Sequence, residues 1–139
     1  MHRRPATITL LLIVSNEEER LRAGPAINSC RHVVDEVVIV VQKATDNTRE
    51  VALTLGAVVV DHPPYGYCER SRTDAIKECS GAWILSLDAD EALTPWAAER
   101  LRSWTDQHKR MVSLRRLTTI GGALHEDMPH RRLFRKKWA

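Results

Sequence analysis

Four short apolar runs, 7–14, 37–41, 57–60 and 83–87, recur along this 139-residue chain, and stretches with helix signals separate them. Val37-Val-Ile-Val-Val41 is almost wholly β-branched, and Ile8-Thr-Leu-Leu-Leu-Ile-Val14 has no polar alternation. Runs of this length without a polar face predict strands buried on both sides. Glu17–Cys30 has helical character, but Gly24-Pro25 inside it predicts a split or a kink. Thr45-Asp46-Asn47-Thr48 offers capping oxygens to a helix running to about Leu55, with Gly56 as its stop. Glu69–Cys79 reads as a helix ended by Gly81, and Pro95 opens another to about Asp106. The order β-α-β-α-β-α-β implies an α/β class, with a mostly parallel sheet flanked by helices on both faces. After residue 108 the pattern weakens to one strand near Met111–Leu117, a turn at Gly121-Gly122 and a basic end.

Composition narrows the class further. With 43% hydrophobic and 28% charged residues, the chain is neither disordered nor a membrane bundle, and its length suits one domain. The net charge of +3 is unevenly placed: residues 1–107 carry 12 basic and 16 acidic side chains, residues 108–139 carry 9 and 2. Cys30, Cys68 and Cys79 form no C-x-x-C pair, which argues against a disulfide framework and a cysteine zinc site and fits a reducing compartment. Met1-His-Arg-Arg before the apolar run resembles a secretion signal, but the run leads into Glu17-Glu18-Glu19 with no small-x-small site. The expectation is a cytoplasmic chain with no transmembrane segment and no nucleic-acid partner.

In open α/β sheets, ligands gather beyond the carboxyl ends of the strands. Ser15-Asn16-Glu17-Glu18 follows the first run, Gln42-Lys43-Ala44-Thr45-Asp46 the second, and Asp88-Ala89-Asp90-Glu91 the fourth. In the last segment a spacing of two would put both aspartates on one side of a continuing strand. Two hard oxygen donors suit Mg2+ or Mn2+, which would share its remaining positions with water and substrate phosphates. The plainer alternative is a set of solvated carboxylates capping the helix that Pro95 opens.

The run Trp83-Ile-Leu-Ser-Leu-Asp88-Ala-Asp90-Glu91 resembles the Asp-x-Asp segment of family-2 glycosyltransferases of the GT-A fold, nearest the branch that decorates lipopolysaccharide cores. Thr9–Glu18 is similar to that family's first strand and Asn-Glu-Glu turn, and Asp35–Val41 with Thr45–Thr48 to its second strand and helix start. Arg72 to Trp83 is similar to the helix before strand four, and His130-Arg-Arg-Leu-Phe-Arg135 to an Arg-Leu-Phe-Arg element. The resemblance implies a single GT-A-like (Rossmann-like) domain over 1–139, with a donor half at 1–107 and a short or truncated acceptor side at 108–139. It implies transfer of a sugar from a nucleotide diphosphosugar to an acceptor hydroxyl, with inversion and with a cation on Asp90 and Asp88. Ser15, Asn16, Glu17, Glu18, Gln42, Arg72, Asp88 and Arg132 would line the donor. Inversion needs a general base, and Glu126, Asp127 and Glu91 are the candidates. The acceptor, whether glycan, lipid-linked or protein, is open, and the basic tail could touch an anionic surface.

Two positions depart from the family pattern. Gln42 stands where the family usually has Asp, and Arg72-Thr73 where it has Arg-Asn. Two other classes compete. A strand ending in Asp-x-Asp also marks haloacid-dehalogenase hydrolases, but these want Thr or Val where Ala92 stands and later elements that 49 residues hardly accommodate. The other is a non-catalytic or truncated module that binds nucleotide sugar without transferring it. Trp83, Trp96 and Trp104 read as packing, Tyr65 and Tyr67 as possible sugar-stacking rings in a Pro/Gly loop, and His125 and His130 have no metal-ligand spacing.

Overall fold

The structure is a computed structural model, and it describes residues 6–62, 68–105 and 110–138. Among the described residues, six strands form one sheet in the order β3-β2-β1-β4-β6-β5. They are β1 (Ile8–Val14), β2 (Glu36–Gln42), β3 (Val58–His62), β4 (Trp83–Ser86), β5 (Met111–Ile120) and β6 (Ala123–Arg135). β3, β2, β1 and β4 run parallel, as the alternation implies. β6 joins β4 antiparallel, and β5 pairs with β6 as a hairpin.

Alternate strand residues feed two apolar layers, the period-two rule of a pleated sheet. Leu10, Leu12, Ile39, Trp83, Leu85 and Leu133 face one layer with Leu21, Ile27, Val51 and Leu101, contributed by α1 (Glu18–Ala23), α2 (Pro25–Cys30), α3 (Thr48–Thr54) and α5 (Pro95–Thr105). Leu11, Val38, Val40 and Ile84 face the other with Ala75 and Cys79, at the end of α4 (Cys68–Glu78). Burial pushes the Cys79 thiol up to about 12 and the Cys30 thiol to about 11, so both are protonated packing groups at neutral pH. Gly24 splits α1 from α2 as expected: its φ of +67° ends the first, and Pro25 begins the second.

The carboxyl-terminal segment differs from the sequence expectation. Instead of one strand and a basic end, residues 111–135 form a long hairpin turned by Gly121 and Gly122, whose φ values are +58° and +82°. Its second strand enters the sheet, with Leu85↔Leu133, Ile84↔Phe134 and Trp83↔Arg135. Burial of Leu133 and the free edge of β4 supply what the polar sequence of 123–131 conceals. Among the described residues, no helix is long and apolar enough to cross a membrane.

Polar tethers hold the amino ends of the strands. Glu36 accepts from Thr9 Oγ1 at 2.7 Å and from Ser80 N–H at 2.9 Å, and Thr9 Oγ1 takes Gly81 N–H at 2.9 Å. A Cβ on Gly81 would lie 2.6 Å from the Thr9 backbone nitrogen, so this approach requires glycine. Asp35 accepts Ile8 N–H at 2.8 Å and pairs with Arg102 at 3.1 Å. Burial alone would raise the Asp35 carboxyl. The bond from Arg102, the Ile8 N–H and the Arg102 charge together outweigh that and hold it below its ordinary value.

A pH dependence follows from that depressed carboxyl. Its contribution is fully present above the unfolded-state value of about 3.9 and is lost as pH falls through the lower folded value. Asp35→Asn should lower the melting temperature at pH 7 and flatten its decline below about pH 4, measured by thermal unfolding across pH.

Candidate functional site at the carboxyl edge of the sheet

The chain runs outward from β1 through β2 to β3, then returns to place β4 on the other side of β1. That reversal opens a crevice between the carboxyl ends of β1 and β4, the usual place for a ligand in such sheets. The loops leaving β1, β2 and β4 share that edge. Asn16 Oδ1 accepts Thr45 N–H at 2.8 Å, joining the first loop to the second. Glu17 N–H donates to Thr48 Oγ1 at 2.9 Å, and the Thr48 hydroxyl donates to Asp46. The Asp46 carboxylate also takes Thr48 N–H at 3.0 Å. The Thr48 hydroxyl foremost, helped by backbone N–H groups, holds Asp46 below the usual carboxylate range.

Side chains named from sequence take several postures on this rim. Glu17 pairs with Arg20 at 2.9 Å and Glu18 with Arg22 at 3.1 Å. Ser15 is exposed, and its carbonyl accepts Glu17 N–H. Gln42 is half-buried as the last residue of β2, opposite His62 of β3. Lys43 follows it with a φ of +29°, the one positive value at a non-glycine among the described residues. Arg72 is exposed on α4. Tyr65 and Tyr67 lie outside the described residues.

The Asp88–Glu91 segment is a turn rather than a strand extension. β4 ends at Ser86, and Leu87 N–H still bonds Leu11 O at 3.2 Å. The chain then bends back, with Glu91 N–H on Asp88 O at 3.0 Å. Asp88 and Asp90 are exposed while Ala89 between them is buried. The exposure of the two aspartates therefore comes from the turn and not from strand pleating. Glu91 does not point outward with them. One of its oxygens accepts Asp88 N–H at 2.7 Å, and the other accepts from Arg132 at 2.9 Å.

Three arginines stand around these acids, and the sequence singled out only Arg132. The Glu17 bond and charge raise the Arg20 guanidinium above its ordinary value, and the charge of Asp90 adds to them. Arg116 is raised first by the bond and charge of Asp127, then by Glu91 and Asp88. The helix after β1 and the hairpin thus both lie within electrostatic reach of the Asp-x-Asp turn. The β5–β6 register shifts twice, between Val112 and Ser113 and between Arg115 and Leu117. Arg132 and Arg116 sit at these two irregularities, and irregular pairing re-aims side chains. Nothing in their spacing signals this.

The hairpin carboxylates are strand residues in ion pairs. Asp127 meets Arg116 at 2.6 Å, and Glu126 meets Arg115 at 3.3 Å. His125 and His130 are exposed on the same hairpin. Trp83 is core, whereas Trp96 is 59% exposed, with Arg100 stacked 4.2 Å from its ring centre.

The donor set bears on which cation would fit. Asp88 and Asp90 offer hard oxygens, and no group of three or more ligating side chains exists among the described residues. A cation held by two carboxylates must take its other ligands from water and an anionic substrate. Mg2+ and Mn2+ tolerate that arrangement, whereas a closed zinc site does not.

Comparison with known proteins agrees with this arrangement. Residues 9–138 match the model of glycosyl transferase family 2. The chain is 40% identical over 87 residues to a protein of Rickettsia typhi named as an uncharacterized glycosyltransferase, covering 63% of this chain and 29% of that one. It therefore spans less than a third of the length of that curated relative. Staphylococcus aureus TarS has the same fold, with a TM-score of 0.60 and 19% identity, over 72% of this chain and 19% of that one. So does glucosyl-3-phosphoglycerate synthase from Mycobacterium tuberculosis, solved with Mn2+, uridine diphosphate and glucosyl-3-phosphoglycerate, with a TM-score of 0.55 and 23% identity, over 70% of this chain and 40% of that one. Sheet order, rim and family match lead to one conclusion: the chain has a GT-A-type fold and belongs to glycosyl transferase family 2.

Proposed function

We propose that this chain binds a nucleotide diphosphosugar at the β1–β4 crevice and transfers its sugar, with inversion, to an acceptor hydroxyl. The observation that carries the reading is that the Asp88–Glu91 turn and the joined Ser15–Glu18 and Gln42–Asp46 loops all leave the same edge of the sheet, at the topological switch point. Residues 1–107 form the donor half and 108–139 the acceptor side. Ser15, Asn16, Glu17, Glu18 and Gln42 line the nucleoside and Arg72 lies toward the phosphates, while the guanidinium of Arg132 is taken up by Glu91. Gln42, a neutral amide where the family has Asp, gives weaker bonds to ribose or base than a carboxylate would.

Asp90 and Asp88 would hold Mg2+ or Mn2+, and the cation's chemistry there is neutralisation of charge on the leaving diphosphate. The mycobacterial neighbour solved with Mn2+ and uridine diphosphate supports that assignment. As the anomeric C–O bond to the diphosphate breaks, a base takes the acceptor proton while the acceptor oxygen bonds to the anomeric carbon. Among the hairpin carboxylates we assign this to Asp127, since its partner Arg116 also feels Asp88 and Glu91. A cytoplasmic location belongs to the same reading, supported by the free, buried thiols of Cys30 and Cys79. The acceptor is a hydroxyl compound, and contact of the basic hairpin with an anionic surface would bring membrane-borne acceptors near.

A second reading, binding without transfer, is favoured by one observation: the two hairpin carboxylates, Glu126 and Asp127, are both tied to arginines. A donor screen for release of nucleoside diphosphate with Mg2+ or Mn2+ separates the two. Transfer predicts cation-dependent release that an acceptor accelerates; tight donor binding at the background release rate supports the second reading.

Two substitutions test the assignments. Asp90→Asn should abolish cation-dependent uridine diphosphate binding while leaving the melting temperature nearly unchanged, because an exposed turn residue contributes little to the core. Unchanged affinity in calorimetry with the cation present would sink the assignment. Asp127→Asn should slow transfer by roughly 10²–10⁴ at unchanged donor affinity, the ordinary worth of a general base, while Glu126→Gln should transfer normally. Steady-state kinetics with both variants decide between them.

A further inference from the structure

We propose that Glu91 and Arg132 are positioning residues that hold the Asp88–Glu91 turn in its cation-receiving shape before a donor arrives. The proposal rests on the reading of Asp88 and Asp90 given above.

Hydrogen bonding at the end of β4 motivates it. The ladder to β1 ends with Leu87, so the next amide, Asp88 N–H, has no strand to bond. Glu91 supplies the missing acceptor at 2.7 Å, while its own N–H bonds back to Asp88 O at 3.0 Å. Two reciprocal bonds between the first and fourth residues close the turn, much as a capping box closes a helix start. Three acids within four residues repel one another, and that repulsion favours an open loop. The closed turn therefore needs a cation on the Glu91 side.

Arg132 is that cation. Its bond to the second Glu91 oxygen is 2.9 Å, and both side chains are only 13% exposed. At that burial a charge-assisted bond is screened less than the exposed pairs of the hairpin. The delivery of Arg132 is built into the strand. Val112 opposes Leu133 and Ser113 opposes Arg131, which leaves Arg132 as the extra residue at a register shift. Leu133, its neighbour, is fully buried and paired with Leu85 of β4. The guanidinium is thus anchored one residue from the core beside the strand that carries the turn. Arg132 braces the carboxylate that shapes the turn, and the two aspartates remain open to solvent for a ligand. Partners of this kind, one shell behind the ligating groups, typically alter metal affinity by roughly 10–100-fold when lost.

The test is calorimetric titration of uridine diphosphate, with and without Mn2+, into the full chain and its Glu91→Gln and Arg132→Gln variants. Glutamine at 91 keeps one oxygen, so it can serve Asp88 or Arg132 but not both. Exchange of the Asp88 amide hydrogen is followed in the ligand-free proteins. We expect the Mn2+-dependent part of the affinity to fall roughly 10–100-fold in both variants while cation-free binding stays unchanged. The Asp88 amide should exchange faster, and Arg132→Lys should recover part of the loss. Arg132→Lys also reads the contact if either glutamine variant does not fold: an Mn2+-dependent affinity equal to that of the parent chain would then overturn the proposal. Loss that is equal with and without Mn2+, or intact Mn2+-dependent affinity, overturns it as well. Asp90→Asn in parallel separates the two levels. If it loses Mn2+-dependent binding and the glutamine variants keep it, positioning is wrong and the site stands. If Asp90→Asn keeps that binding, the site assignment itself falls.

Discussion

Every part of the rim is located by β1. This strand is buried on both faces and paired on both edges, to β2 over Thr9–Val14 and to β4 over Ile8–Leu11. Its alternate residues enter both apolar layers, so a one-residue slip would exchange Leu10 and Leu12 with Leu11 and misfit both. Asp35, Glu36 and Gly81 lock the amino ends of the neighbouring strands to Ile8 and Thr9. With register held there, the carboxyl ends of β1, β2 and β4 arrive together, and three short polar loops must share one edge.

Those loops are held by different means, and the difference matters for the chemistry. The β1 and β2 loops are stitched by hydrogen bonds of Asn16, Thr45 and Thr48, with Asp46 the one carboxylate among them. The β4 turn is acidic and is balanced by arginines from two directions, Arg20 from the helix after β1 and Arg116 and Arg132 from the hairpin. The outer pairs, such as Arg115–Glu126, are half exposed and contribute little to stability. The inner Glu91–Arg132 pair couples the β4 turn to β6, the neighbouring strand.

Much of this was legible in the sequence, and the limits have physical causes. β1 to β4 carry unbroken apolar runs because both of their faces are covered, and Gly24-Pro25 marked the break between α1 and α2. The Asp-x-Asp segment stood out because a strand this apolar seldom ends in three acids. The hairpin did not stand out: residues 123–131 are exposed or half-exposed and have no apolar face. Only pairing across Gly121-Gly122 and the free edge of β4 make β6 a strand. Glu91 stood out in the sequence as an acid beside the two aspartates and a candidate base. Its partner was hidden, because Arg132 lies forty-one positions away and arrives through a register shift. Arg20 and Arg116 near the turn likewise follow from tertiary placement and from no local pattern.

The central claim is that the Asp88–Glu91 turn receives a cation bound together with a nucleoside diphosphate. Paramagnetic broadening of backbone amide resonances by Mn2+, recorded with uridine diphosphate present, tests this most directly. The account predicts the strongest broadening at Asp88–Glu91, weaker broadening at Ser15–Glu18 and Gln42–Asp46, and little at the hairpin turn around Gly121 and Gly122. Broadening centred on His125 and His130, or none at the β4 turn while uridine diphosphate is bound, would contradict it.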